Sequence, residues 1–201
     1  MKVLVACEVS GVVRDAFIRR GHDAWSCDLL GPEDVPEGIL PSQEHPEKHI
    51  KGDVLTLLND SWDLMIAHPP CRYLAASGLH WNKRVEGREE KTEEALAFVK
   101  KLLNAPFPKI ALENPKGCIS TRIRMPTQRV QPWQFGEDAS KETYFWLKGL
   151  PCLQPTNILK KDRYANQTAS GQNKEGPSEW RWLKRSVTYK GLAEAMASQW
   201  G

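Results

Sequence analysis

The sequence has no long apolar run. Nothing in it approaches the roughly 20 consecutive apolar residues that a membrane-spanning helix needs, so a helical membrane protein is excluded. It has no Cys-x-x-Cys pair. Its five cysteines, Cys7, Cys27, Cys71, Cys118 and Cys152, are odd in number and widely spaced, and its five histidines show no ligand spacing. Neither a disulfide framework nor a metal site is therefore expected. There is no Walker sequence and no Gly-x-Gly-x-x-Gly, which gives little support to a phosphate cradle and favours a cofactor without phosphates. Repeats and low-complexity tracts are also lacking. The N-terminus reaches an acidic residue at Glu8, too early for a secretory signal, so reduced thiols in a cytoplasm are the expectation.

What is present is a soluble, globular composition. The 201 residues are 40% apolar and 26% charged, with 14 Gly and 14 Pro, enough for one domain. The chain reads as α/β. Lys2 to Cys7 is a short β-branched apolar run, a buried strand. Ser10 and Gly11 follow as turn and cap, and Val12, Val13, Ala16 and Phe17 recur at helical spacing up to Gly21. Asp23 to Asp28 predicts a second strand, Lys51 to Val54 a third strand end and Trp62 to Ala67 a fourth strand; Gly31 to Pro46 reads as a surface loop. Glu86 to Asn104 predicts a helix with an apolar stripe of Ala95, Phe98, Val99, Leu102 and Leu103. A fifth strand spans Pro108 to Glu113, a further one is expected over Thr143 to Leu147, and Leu192 to Trp200 reads as a closing helix. Strands alternating with helices predict a mostly parallel, Rossmann-like sheet.

In such a sheet ligands bind at the carboxyl ends of the strands. The residues there are Glu8, Ser10 and Gly11 after strand one, Asp28 ending strand two, Asp53 near strand three, Cys71 after strand four and Glu113 at strand five. Carboxylates at the first three strand ends suit a nucleoside cofactor, since they accept hydrogen bonds from ribose hydroxyls and an adenine amino group. Equally, they are ordinary caps and turns. Two prolines fix the chain before Cys71, and a helix beginning at Arg72 would lower its thiol pKa; the plain alternative is an inert cysteine, as expected for Cys7, Cys27 and Cys152. A thiolate and the Glu113 carboxyl at neighbouring strand ends suit covalent activation of a heteroaromatic ring, with the acid on a ring nitrogen. Helix capping is the plain alternative for Glu113.

Ala67-His68-Pro69-Pro70-Cys71 resembles the Pro-Pro-Cys motif of the cytosine C5 DNA methyltransferases, and Leu112-Glu113-Asn114-Pro115 resembles their Glu-Asn-Val motif. Val5 to Gly11 is similar to their first cofactor motif, and Asp28 and Asp53 fall where the next acidic motifs stand. The likeness runs in order over residues 2–117, recurs faintly at 191–201, and is nearest to short bacteriophage-type members lacking a target-recognition domain. His68 stands for a glycine, Arg72 for a glutamine and Pro115 for a valine. The resemblance implies an S-adenosylmethionine methyltransferase fold, with a cofactor site of Glu8, Ser10, Gly11, Asp28 (ribose), Asp53 (adenine) and Pro69. It implies a catalytic set of Cys71, attacking cytosine C6, Glu113, holding the N3 and N4 edge, and an arginine, with Arg122 and Arg124 the nearest candidates and Arg129 a third. The implied substrate is cytosine in DNA, flipped out of a duplex, and the implied setting is a bacterial or phage-infected cell. Cytosine in a single strand or a free nucleotide, an amino-group methyltransferase and a catalytically silent binding protein are the alternatives; His68 and Cys71 argue against the amino-group reading.

Charge divides the chain into three parts. Residues 1–117 carry 15 basic and 18 acidic side chains, and residues 118–185 carry 12 and 6, so the overall +3 hides a basic second part. That part also holds Trp133, Tyr144, Trp146, Tyr164, Trp180 and Trp182, the mixture a polynucleotide track uses. A solvated basic surface over inward-packed tryptophans is the plain alternative. The expected organisation is one domain: a cofactor and catalytic core (1–117), a substrate-facing segment (118–185) and a closing helix (186–201).

Overall fold

The computed structural model describes residues 1–41 and 43–201. Position 42 of the expected 31–46 loop lies outside the described residues. Strand β1 (Lys2–Ala6) leads to helix α1 (Val12–Arg19), β2 (Asp23–Asp28), β3 (His49–Lys51) and β4 (Leu64–Ala67). Then come α2 (Ala76–Leu79), α3 (Arg88–Leu103), β5 (Lys109–Asn114), α4 (Ile119–Arg122), β6 (Gln128–Val130), β7 (Thr143–Lys148), α5 (Arg181–Ser186) and α6 (Lys190–Trp200). They build one seven-stranded sheet in the order β3-β2-β1-β4-β5-β7-β6. Strands β1 to β5 are parallel, and β7 runs antiparallel to both β5 and β6. The α/β, mostly parallel expectation holds.

The alternation of side chains along the strands sorts the core into two layers. Val3, Val5, Leu64, Ile66, Ala111 and Phe145 pack on one face, under α1 and α6. Leu4, Ala6, Met65, Ala67, Leu112 and Trp146 pack on the other, under α3. The buried stripe of α3 is Leu96, Val99 and Leu102, with Ala95, Phe98 and Leu103 at its margin. The predicted stripe was therefore rotated by a fraction of a turn and missed Leu96.

Three expectations need correction. The third strand ends at Lys51, before Asp53, which instead caps a short 3-10 turn by accepting from Leu55 N at 2.9 Å. Trp146 is fully buried in the β7 core and offers nothing to a polynucleotide, because it faces inward in the strand alternation. Cys152 is exposed, not buried.

Candidate active site

The strand order reverses direction between β1 and β4, so their carboxyl ends border a crevice. The loop after β1 opens with Cys7 in the left-handed region (φ 59°), uncommon for a residue with a Cβ. Glu8 then turns inward. Its carboxylate accepts from Val13 N at 2.8 Å, Arg14 N at 3.3 Å and Ser10 Oγ at 3.1 Å, and only 6% of the residue is exposed. Glu8 thus caps the amino end of α1, where backbone N–H groups lack partners. Gly11 (φ 72°) must be glycine: a Cβ there would lie 2.3 Å from the Arg14 guanidinium. Arg14 is itself fully buried, paired with Asp15 at 2.8 Å and donating to Ser26 Oγ at 2.9 Å.

Asp28 and Asp53 flank the neighbouring strand ends. Asp28 accepts from Leu30 N at 3.0 Å, and Asp53 accepts from Leu55 N at 2.9 Å. Burial pushes the Asp28 carboxyl up, against hydrogen bonds from the Leu30 and Leu29 backbone and the nearby His49. Both carboxylates lie close enough to Cys7 to raise its thiol, after burial, which is the larger cause. Leu29, beside Asp28, is 72% exposed, an apolar side chain at the crevice rim that composition did not single out.

Cys71 and Glu113 come together as the strand order requires. The β4 loop is pinned by the next one. Asn114 Nδ2 donates to the Pro69 carbonyl at 2.8 Å, Cys118 N donates to the Leu74 carbonyl at 2.9 Å, and Ala76 N donates to the Lys116 carbonyl at 2.9 Å. Gly117 allows this approach, since a Cβ there would lie 1.9 Å from the Leu74 oxygen. Cys71 is exposed and opens a three-residue 3-10 turn, Cys71–Tyr73. The expected helix amino end is absent, and Arg72 lies over the Tyr73 ring, 5.5 Å from its centroid. The thiol pKa accordingly moves opposite to expectation. Loss of water around the sulfur and the Glu113 charge push it up, while Lys141 and Arg185 oppose them.

Glu113 is largely enclosed, and its Oε2 pairs with His68 Nδ1 at 3.2 Å. Burial alone would raise its carboxyl; the His68 hydrogen bond and Lys141 outweigh this and hold it below the usual carboxylate range. The arginines expected here are elsewhere. Arg122 forms ion pairs with Glu93 and Glu89 of α3. Arg124 donates to the Leu147 carbonyl, two residues along β7 from Phe145, which pairs with Glu113. Arg129 is 66% exposed beside Glu142. Lys141 acts on both Cys71 and Glu113, and Arg185 on Cys71; both are distant in sequence and without motif neighbours.

Among the basic segment's aromatics, only Trp182 is largely exposed (58%). Trp133 stacks on Tyr164 at 6.3 Å, and Trp180 lies 6.4 Å from Trp182. Trp81, outside that segment, is 46% exposed with Arg84 at its ring face. No described helix is long and apolar enough to cross a membrane.

No family model and no curated protein matches the chain. Similar solved structures include a DNA modification methyltransferase encoded within an E. coli prophage, with TM-score 0.46 and 15% identity, covering 79% of this chain and 51% of that one. The 16S rRNA methylase RmtB has TM-score 0.38 and 17% identity, covering 73% and 55%. A triple mutant of Spodoptera frugiperda DNMT2 has TM-score 0.45 and 15% identity, covering 81% and 56%. The chain spans about half the length of each.

Proposed function

We propose that this chain is an S-adenosylmethionine-dependent methyltransferase acting on cytosine C5, in DNA, through a covalent bond between Cys71 and cytosine C6. The observation that carries the reading is that Cys71 and Glu113 stand at the ends of adjacent strands, with the Glu113 charge among the causes that raise the Cys71 thiol. The motif resemblance around both residues supports it.

The residues present fit the cofactor. Asp28 and Asp53 offer carboxylate acceptors for ribose hydroxyls or an adenine amino group. The Ser10–Gly11 turn follows β1 and Pro69 follows β4, the two strands on either side of the reversal, and Glu8 serves by holding α1 in place. When bound, S-adenosylmethionine supplies an electrophilic methyl group. Cys71 Sγ is the nucleophile that makes C5 electron-rich, and Glu113 contacts the N3 and N4 edge. Lys141 and Arg185 favour the thiolate against the raised thiol pKa. The basic 118–185 segment, with exposed Trp182, is the proposed nucleic-acid side.

The test is a covalent adduct with duplex DNA containing 5-fluorocytosine, seen as a shifted band and lost in Cys71→Ser. Absence of an adduct with duplex DNA, single strands and free cytosine nucleotides alike would sink the reading. An adduct confined to the last two would move the substrate and keep the chemistry.

A further inference from the structure

His68 has no counterpart in the motif that Pro69-Pro70-Cys71 resembles, and its surroundings are unusual. The side chain is 9% exposed and its Nδ1 meets Glu113 Oε2 at 3.2 Å. Its Nε2 is buried without any hydrogen-bond partner. Leaving such a group unsatisfied costs stability, so a buried orphan needs an explanation. The ring lines a small cavity with Glu113, Lys141, Thr143, Thr188 and Tyr189. Its volume, about 10 Å³, is near that of a single water site.

The chemistry proposed above places a demand on Glu113. When a thiolate adds to C6, N3 must receive a proton, and an ionised carboxylate has none to give until a neighbouring acid supplies one. The group in contact with it, at 3.2 Å, is an imidazole. Imidazole is the side chain whose ordinary titration falls between about pH 5 and 8.

Resting on that reading of the site, we propose that His68 and Glu113 form one acid–base pair, in which Glu113 hands the proton to the target ring and His68 resupplies it through Nδ1. In the addition step the Sγ–C6 bond forms, the C5=C6 pair shifts to C4=C5, and the C4=N3 pair moves onto N3. N3 takes the proton from Glu113, and Glu113 has taken it from the Nδ1 of protonated His68. His68 ends neutral, and Nε2 exchanges with the cavity. His68 acts through Glu113 and is a positioning residue, not one that touches substrate. Lys141 before β7 and Tyr189 before α6 line the cavity with the pair; Cys71 in the β4 loop feels the Glu113 charge, and Arg185 at the end of α5 acts on Cys71 and Tyr189.

The experiment follows the rate of adduct formation on 5-fluorocytosine duplex DNA across pH 5 to 9, in the wild-type chain, His68→Asn and His68→Gln. Two variants are used so that a misfolded one, detected by circular dichroism, leaves the other. The expected result is a loss of about 100-fold or more near neutrality, disappearance of the limb that falls as the imidazole deprotonates, and partial rescue by added imidazole. In parallel, nitrogen NMR of the free protein should show a His68 titration that moves when Glu113→Gln is introduced. A wild-type adduct whose pH profile is unchanged in the folded variants, or a His68 titration indifferent to Glu113→Gln, overturns the pair and leaves the proposed function standing. No wild-type adduct on any cytosine substrate overturns the proposed function itself.

Discussion

The side-chain amide of Asn114 donates to the Pro69 carbonyl across 2.8 Å, tying the end of β5 to the loop that carries Cys71. With Gly117 pressed against the Leu74 carbonyl, it sets where Cys71 stands relative to Glu113. Gly117→Ala must displace backbone and should cost about 1–3 kcal/mol, read by urea denaturation. It should also slow adduct formation. Wild-type stability in this variant would mean that the two loops are not rigidly joined.

The raised Cys71 thiol sets a pH dependence. Its ionisation should lie above that of an ordinary thiol, so alkylation by iodoacetamide should still be accelerating where a free cysteine has reached its plateau. Removing a negative neighbour favours the thiolate, so Glu113→Gln should move the midpoint down. Removing a positive one disfavours it, so Lys141→Met should move it up. Mass spectrometry of the Cys71 peptide reads both.

Asp28→Ala removes a half-buried acceptor at the end of β2. Loss of a hydrogen bond from a ligand hydroxyl to a charged group is worth about 1.5–3 kcal/mol. S-adenosylmethionine binding by calorimetry should therefore weaken roughly 10- to 100-fold. An unchanged affinity would remove the ribose assignment.

Lys184 and Arg185 are exposed at the end of α5, beside Trp182. Neutralising both with alanine should reduce the slope of log affinity for DNA against log salt by up to about 2, one phosphate contact each. A constant slope would make this an ordinary solvated surface.

Trp200 closes the core. It is 1% exposed, its Nε1 donates to the Pro151 carbonyl at 2.9 Å, and its ring meets Phe145 edge-on at 5.6 Å. Trp200→Ala should destabilise by about 3–5 kcal/mol, lowering the thermal midpoint without altering Cys71 alkylation in the folded state.

The order of strands and helices was legible because β1, β4 and β5 carry continuous apolar runs and each long helix repeats its apolar residues at helical spacing. Short elements such as β6 and α5 hold too few residues to show a period. The positions of Asp28, Cys71 and Glu113 at or just beyond the carboxyl ends of neighbouring strands were legible too, because a parallel sheet sends those ends to one side; Asp53 proved to cap a turn past the end of β3. Local chain chemistry decides all of this. Only the tertiary structure decided how those residues are used. It turned Glu8 into a cap, because the open N–H groups of α1 lie within its reach. It took Arg122 and Arg124 to other partners and brought in Lys141 and Arg185 from later in the chain. It reversed the direction of the Cys71 shift, because electrostatics depends on distance in space and on lost water, and neither is written in the spacing of residues.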